Sequence, residues 1–205
     1  MYFENPFYIF PVVLGLNGLR GILKYSLWEK KWKVLCNILV KAIERRKIVV
    51  QNNKLKVCFC SSSGGHFEQL MMLKPLMEDY DSFIVTEKIG YDVKTNGLPV
   101  KYVLQINRMD KLFILKFMYN IFLSFCIILK QRPDLIISTG ALASVPMMVW
   151  TKVFRGKVIY IESFAKIDNP TISGKIAYKF AHQFYVQWES MKKFYPNAVC
   201  KGGIY

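Results

Sequence analysis

Three titratable side chains stand at the ends of apolar runs that are typical of β-strands: His66, Glu68 and Glu162. His66 and Glu68 follow the small-residue stretch 61–65, and Glu162 directly follows the apolar run 157–161. A histidine titrates near neutral pH, so His66 is suited to act as a general base or to bind a phosphate. A carboxyl group buried at the end of an apolar strand can be tuned for acid–base catalysis. We therefore take these three residues as the candidate catalytic groups.

The same side chains also have structural explanations, which the sequence leaves open. Histidine has many non-catalytic hydrogen-bonding roles, and His66 can cap a helix or bond within a loop. Glu68 falls in the first turn of a predicted helix, where a carboxylate is favoured by the helix dipole alone. Glu162 can likewise be a core group with a structural role. The other histidine, His182, lies at a helix–strand junction and is interpreted as structural.

Two loops of small residues, 61–65 and 138–146, are predicted to bind phosphate. Glycine permits backbone angles that are closed to other residues, and a following helix points its free N–H groups at the loop. The spacing matches neither G-x-G-x-x-G nor a Walker loop, so a plain tight turn is the alternative. A guanidinium also suits phosphate, although an ordinary surface arginine is equally consistent. The candidate phosphate-binding residues are Ser63, Gly64, Gly65, Arg108, Thr139, Gly140 and Ser144.

From residue 54 onward, strand-like and helix-like segments alternate along the chain. The predicted strands are 56–60, 82–87, 100–105, 134–139, 157–163 and 184–188, and the predicted helices are 66–77, 110–131, 144–154, 173–183 and 189–195. This alternation predicts an α/β fold with a doubly wound parallel sheet. In such a sheet, ligands bind beyond the carboxyl ends of the strands, so the loops and the candidate acids and bases should converge on one edge.

Residues 1–53 form a separate region with a different composition. The segment 22–47 alternates apolar and basic residues at helical spacing and contains Trp28 and Trp32, which suit a headgroup boundary. A helix packed on the body is the alternative, because it needs the same apolar stripe. The whole chain carries 29 Lys and Arg against 14 Asp and Glu, a net charge of +15. This balance favours an anionic membrane surface, whereas no nucleic-acid recognition motif is present.

The cysteines and the apolar run 112–129 indicate whether to expect disulfides, a metal site or a membrane-spanning helix. The five cysteines show neither disulfide nor metal-site spacing, which is typical of small buried side chains in a reducing compartment. We expect neither a metal nor a cofactor. The apolar run 112–129 is interrupted by Lys116 and Asn120, and a crossover helix is needed at this place. We therefore interpret it as buried or partly lipid-facing rather than membrane-spanning.

Several motifs in a fixed order resemble one protein family. The stretches "SSGGHFEQL", "STGALASVP", "IYIES", "SGKIAYKFAHQFYVQW" and "YPNAVCKGGIY" are similar to the acceptor-binding, membrane-anchoring subunit of the two-part N-acetylglucosaminyltransferase of asparagine-linked glycosylation. They resemble still more closely its bacterial relatives in capsular and exopolysaccharide assembly. The resemblance covers residues 54–205, and residues 1–53 match no motif of the family.

The resemblance implies a glycosyltransferase of the GT-B class divided between two chains. This chain would be the Rossmann-like, acceptor-binding half at the cytoplasmic face of the cell membrane, and a second subunit would bind the nucleotide sugar. The glycine loop would face the pyrophosphate of a polyprenyl-linked sugar, and the chain alone would be inactive. The alternative is a non-catalytic membrane scaffold that only recruits and activates its partner.

A partner surface is predicted at the C-terminal end. The last twelve residues are rich in apolar and aromatic groups, which on an exposed surface mark an interface. The residues assigned to this interface are Phe194, Tyr195, Ile204 and Tyr205.

Overall fold

A computed structural model of the chain describes residues 54–90, 93, 95 and 97–204. The strands are β1 (Lys56–Ser61), β2 (Asp81–Lys88), β3 (Val100–Leu104), β4 (Leu135–Gly140), β5 (Lys157–Ile161), β6 (Gln183–Val186) and β7 (Val199–Cys200). They form one sheet in the order β3-β2-β1-β4-β5-β6-β7, and every neighbouring pair is parallel. The membrane-associating segment predicted at 1–53 lies outside the described residues.

Helices cover both faces of this sheet. They are α1 (Gly65–Met71), α2 (Lys74–Glu78), α3 (Phe113–Gln131), α4 (Val145–Val153) and α5 (Ile172–Tyr178), with 3-10 turns at Leu142–Ser144 and Glu189–Lys193. Leu70 of α1 and Met77 of α2 pack on the face that carries Phe59. α3, α4 and α5 pack on the other face, which carries Cys58 and Cys60. The predicted doubly wound α/β fold is therefore confirmed.

The helix expected over 189–195 is a 3-10 turn, Glu189–Lys193, and the helix expected over 173–183 ends at Tyr178. Two further details differ from the elements that the sequence predicts. The single helix expected over 66–77 is divided into α1 and α2, because Pro75 falls in the first turn of α2, where a missing N–H is tolerated. The short edge strand β7 was not predicted, since two residues carry no readable periodicity. Neither difference moves the strand ends.

The chain enters the sheet at its centre. It passes from β1 outward through β2 to β3, returns through α3 to β4 on the other side of β1, and then continues to β7. The strand order thus reverses between β1 and β4. In open α/β sheets, ligands bind in the crevice beyond the carboxyl ends of the strands at this reversal.

The crossover helix α3 is fixed to the edge strand β3 by a buried asparagine. The Asn120 amide donates to the carbonyl oxygen of Leu104, and its Oδ1 accepts from the N–H of the same residue, both at 2.8 Å. The indole of Trp150 on α4 donates to the carbonyl oxygen of Ile121 at 2.9 Å. The helix ends at Gln131 and is capped by Arg132, which has a left-handed conformation (φ 47°) and precedes Pro133. α3 therefore lies along the sheet, on its α4 side.

We expect Asn120→Leu to lower the free energy of unfolding by about 1–3 kcal/mol, because two backbone groups of Leu104 lose their partner. Chemical denaturation of the purified chain would measure the change. The matched control is Asn197→Leu, the same substitution at an exposed asparagine, where a change within about 0.5 kcal/mol is expected. Equal stability of the two variants would contradict the anchoring role of Asn120.

Candidate functional site

The point of reversal is lined by the loops that follow β1 and β4. The Ser62 N–H donates to the carbonyl oxygen of Gly140 at 2.8 Å, which joins the two loops through their backbones. Gly140 has a φ of +97°, and a Cβ built on it would lie 3.1 Å from the His66 ring and 3.2 Å from Tyr160 Oη. Glycine is needed here both for its backbone angle and for the close approach of these two side chains.

His66 is held between these loops by two reciprocal hydrogen bonds. Its Nδ1 lies 2.7 Å from the carbonyl oxygen of Thr139, and the Thr139 hydroxyl donates to the His66 carbonyl at 2.8 Å. Because a carbonyl oxygen only accepts, Nδ1 carries the proton and Nε2 carries the lone pair in the neutral ring. The side chain is half-buried. This arrangement fixes the orientation of the His66 ring and the tautomer of its neutral form.

The loop after β4 is closed by its own serines. The Ser138 hydroxyl accepts from the Gly140 N–H at 3.1 Å and donates to Ser144 Oγ at 3.0 Å. The Ser144 hydroxyl donates in turn to the carbonyl oxygen of Ala141 at 2.7 Å. Ser138, Thr139 and Ser144 are fully buried. Their side chains therefore shape the loop from inside rather than face its open side.

A carboxylate that sequence reasoning missed holds the loop after β1. Glu87, at the end of β2, accepts from both the N–H and the hydroxyl of Ser63 through Oε2, at 3.2 and 3.0 Å. Its Oε1 accepts from the N–H of Ile106 at 3.0 Å. Glu87 thus links the glycine loop to the segment that carries the exposed Arg108. A strand-end carboxylate was the signal that pointed to Glu162, and the same signal identifies Glu87.

Glu162 lies buried at the end of β5, surrounded by hydrogen-bond donors. Its carboxylate accepts from the Ser163 N–H at 2.9 Å, from the Thr171 hydroxyl at 2.9 Å and from Tyr195 Oη at 2.8 Å. A Cβ on Gly174 would lie 2.0 Å from Glu162 Oε2, so α5 can approach the carboxylate only because this residue is glycine. Glu162 therefore fixes the start of α5 and the C-terminal segment to the sheet.

Two buried tyrosines, Tyr160 and Tyr195, belong to the same hydrogen-bond network as Glu162. Tyr160 Oη donates to Ser173 Oγ at 3.1 Å and lies 3.4 Å from Thr171 Oγ1. Burial raises the pKa of Tyr160, and the Glu162 carboxylate raises it further. The same two causes raise the pKa of Tyr195. Both phenols therefore keep their protons at neutral pH and act as donors. The Tyr160 hydroxyl thus lies close to Gly140 at the reversal point and next to Thr171, which donates to Glu162.

The predicted site residues fall into two groups. Gly64, Gly65, Glu68 and Arg108 are exposed, and His66 is half-buried. Ser63, Thr139, Gly140, Ser144 and Glu162 use their polar groups in bonds within the protein, as described above. The loops after β1 and β4 are brought together as expected, whereas Glu162 belongs to a neighbouring internal network. The roles of all these residues in binding and catalysis remain predictions.

The expectation of an exposed C-terminal patch is wrong for two of its residues. Tyr195 and Ile204 are buried within the chain itself, and the Ile204 N–H donates to Gln187 Oε1 at 2.8 Å. After β7 the chain returns to the core at Ile204. Phe194 is exposed, and Tyr205 lies outside the described residues. Of the four predicted interface residues, Phe194 alone is thus shown to be accessible.

In the part of the chain that the structure describes, no cluster of three or more His, Cys, Asp or Glu side chains is arranged to hold a metal ion.

Comparison with known proteins identifies the family. The family described as "Oligosaccharide biosynthesis protein Alg14 like" matches residues 104–204. The chain is 30% identical over 221 residues to the Homo sapiens "UDP-N-acetylglucosamine transferase subunit ALG14", a match that covers 94% of this chain and 98% of the human one. The chain belongs to the Alg14 family. The Rattus norvegicus subunit of the same name matches with the same identity and coverage. These matches extend into residues 1–53, which the motifs had left unmatched.

Solved structures place the Alg14-like fold among known α/β proteins. The crystal structure of MurG from Acinetobacter baumannii matches with a TM-score of 0.55 and 11% identity, over 66% of this chain and 42% of that one. UDP-N-acetylglucosamine 2-epimerase from Rickettsia bellii matches with a TM-score of 0.59 and 14% identity, over 74% and 46%. The chain thus spans less than half the length of either protein. These likenesses show a Rossmann-like fold of the kind found in GT-B glycosyltransferases.

Proposed function

We propose that this chain is the acceptor-binding subunit of a two-component UDP-sugar-dependent glycosyltransferase. It binds a polyprenyl-pyrophosphate-linked sugar at the carboxyl edge of the sheet, and a separate subunit binds the nucleotide sugar. The observation that carries the proposal is the family relationship: the chain is 30% identical, over 98% of the relative's length, to a protein named as a UDP-N-acetylglucosamine transferase subunit.

The geometry supports a role for the exposed part of the site in acceptor binding. His66, Gly64 and Gly65 lie at the reversal of the strand order, where α/β sheets bind ligands. Arg108 lies two residues beyond Ile106, which Glu87 links to the glycine loop. A guanidinium and backbone N–H groups are suitable partners for a pyrophosphate. In this proposal, His66 Nε2 takes the proton of the acceptor hydroxyl as that oxygen bonds to C1 of the donor sugar. The bond from C1 to the phosphate breaks, and UDP leaves on the partner subunit.

The membrane is part of the proposal. A net charge of +15 favours an anionic surface, and a polyprenyl-linked acceptor is itself held in a bilayer. We place the subunit at the cytoplasmic face, with residues 1–53 as one point of attachment. Assembly of a bacterial capsule or exopolysaccharide is suggested by the motif resemblance alone, since the relatives named above are animal transferase subunits.

A non-catalytic scaffold is the second candidate, and one observation favours it. Glu162, Ser63 and Ser144 all use their polar groups to hold the protein together. If His66 is structural as well, the subunit recruits and activates its partner without contributing to the reaction.

The test is a transfer assay with the purified chain, labelled UDP-N-acetylglucosamine and a prenyl-pyrophosphate-linked sugar in detergent micelles. We expect no product from the chain alone and product after the nucleotide-sugar subunit is added, because the donor pocket belongs to that partner. Turnover by the isolated chain would overturn the proposal. Binding of the lipid-linked acceptor by the chain without its partner would exclude the pure scaffold.

A further inference from the structure

The N-terminal half of α3 and its N-cap residue carry a large exposed apolar surface, which we call the α3 face. Its side chains are each 53–71% exposed: Leu112, Ile114, Leu115, Met118, Tyr119 and Phe122. Met109, just before the helix, is 90% exposed. Contiguous apolar surface of this kind on a folded chain usually marks an interaction site.

The described residues show why this surface is left open. α3 packs on the protein through its opposite side, where Asn120, Ser124 and Ile128 are buried. The C-terminal half is partly covered by α4, with the rings of Phe125 and Trp150 4.9 Å apart. The N-terminal half extends beyond this contact, and the side chains of the α3 face are left more than half exposed among the described residues.

By its length and hydropathy alone, α3 could cross a membrane. Its packing against β3 and α4 does not allow this orientation. Phe113–Gln131 is the helix that meets the length and hydropathy criteria for a membrane span among the described residues. The bonds of Asn120 to β3 and of Trp150 to α3 hold it along the sheet. A helix with one apolar face and a folded domain on the other side is suited to lie in the membrane interface.

The charges around the α3 face indicate an anionic lipid surface. Between residues 104 and 132 the chain has five basic residues and one acidic residue. That acidic residue, Asp110, is paired with Lys116, and α3 itself contains no Asp or Glu. Arg108 and Lys111 are exposed beside the apolar side chains. Basic residues next to apolar ones are the combination that binds headgroups and acyl chains together.

The position of the α3 face in the fold agrees with the same partner. α3 begins after the carboxyl end of β3, so the exposed half of the helix lies toward the edge of the sheet that carries the candidate site. We infer that the α3 face inserts into the surface of an anionic phospholipid bilayer and turns this edge toward the membrane. This orientation, which rests on the proposed function, would present His66 and Arg108 to the headgroup of a lipid-linked acceptor.

The test measures the depth of α3 in vesicles and uses the full chain. Met118→Cys is labelled with an environment-sensitive fluorophore after Cys36, Cys126 and Cys200 are changed to serine. Cys58 and Cys60 are left in place, because burial raises the pKa of both thiols and keeps them unreactive. The matched control is Asp79→Cys, an exposed position after α2 on the opposite face of the sheet.

With vesicles of phosphatidylcholine and phosphatidylglycerol, the label at 118 should shift to shorter wavelength. Nitroxide-bearing acyl chains should quench most of its emission, and the label at 79 should not change. Vesicles without phosphatidylglycerol should give a smaller emission shift and less quenching of the label at 118. The inference would be overturned if the protein binds vesicles while the label at 118 neither shifts its emission nor is quenched. So would a label already shielded before vesicles are added, since residues 1–53 or a second copy would then cover the face. The readout needs neither partner nor acceptor, so its failure is distinct from failure of the transfer assay.

Discussion

Replacing His66 with alanine should lower the rate of sugar transfer by the assembled enzyme by about 10²–10⁴-fold, the usual contribution of a general base. The bond from Nδ1 to the Thr139 carbonyl fixes the ring and leaves Nε2 as the proton acceptor at the reversal of the strand order. The measurement is the transfer rate of the two-subunit complex at saturating acceptor. Co-purification of the two subunits should not change, because His66 is not part of a predicted partner surface.

The His66→Asn variant distinguishes a role of His66 in proton transfer from a role in holding the loop. An asparagine amide can take the place of Nδ1 and donate to the Thr139 carbonyl, but it has no group equivalent to the Nε2 lone pair. We expect this variant to match the wild type in stability and the alanine variant in rate. If both variants assemble and transfer sugar at the wild-type rate, the glycine loop is a structural turn and the scaffold is the better description.

Glu162→Gln should lower the free energy of unfolding by several kcal/mol. An amide in place of the carboxylate turns one acceptor oxygen into a donor among the N–H and hydroxyl groups of Ser163, Thr171 and Tyr195. Each buried donor that loses its acceptor costs about 1–3 kcal/mol. Urea denaturation of the purified chain measures the change.

Glu68→Gln is the matched control, the same substitution at an exposed carboxylate, for which we expect a change within about 0.5 kcal/mol. Tyr195→Phe removes one donor with little change in volume and should have an intermediate effect. A different result would support Glu162 as the catalytic base: unfolding unchanged in the glutamine variant, with transfer reduced by about 10²-fold or more.

The sequence predicts the architecture well because each strand is a short apolar run that ends in small or polar residues. β1 and β4 were found in this way, and so was the meeting of their loops at one edge. This prediction needs only the period of the pattern and the rule that parallel strands end together.

The sequence does not predict the hydrogen-bond partners of the polar side chains as well as it predicts the strands. Glu87 and Glu162 both end apolar strands, and the sequence does not say which loop each carboxylate will hold. The C-terminal segment has the composition of an exposed apolar patch. Its residues Tyr195 and Ile204 are nevertheless buried, because the chain turns back to the sheet after β7. The apolar residues of α3 fit a buried crossover helix and an exposed face equally well. Only the tertiary contacts decide between these outcomes.

The central position of β1 has a consequence for how the protein is made. The Lys56 N–H at the start of β1 donates to Asp134, which is 78 residues away in sequence and just precedes β4. Pairings of such long range form late and slow down folding. While β4 is still being synthesised, β1 has a partner only in β2, and its other edge presents unpaired backbone groups that attract other strands. The period during which a nascent chain is vulnerable to aggregation therefore lasts until residue 140 has left the ribosome.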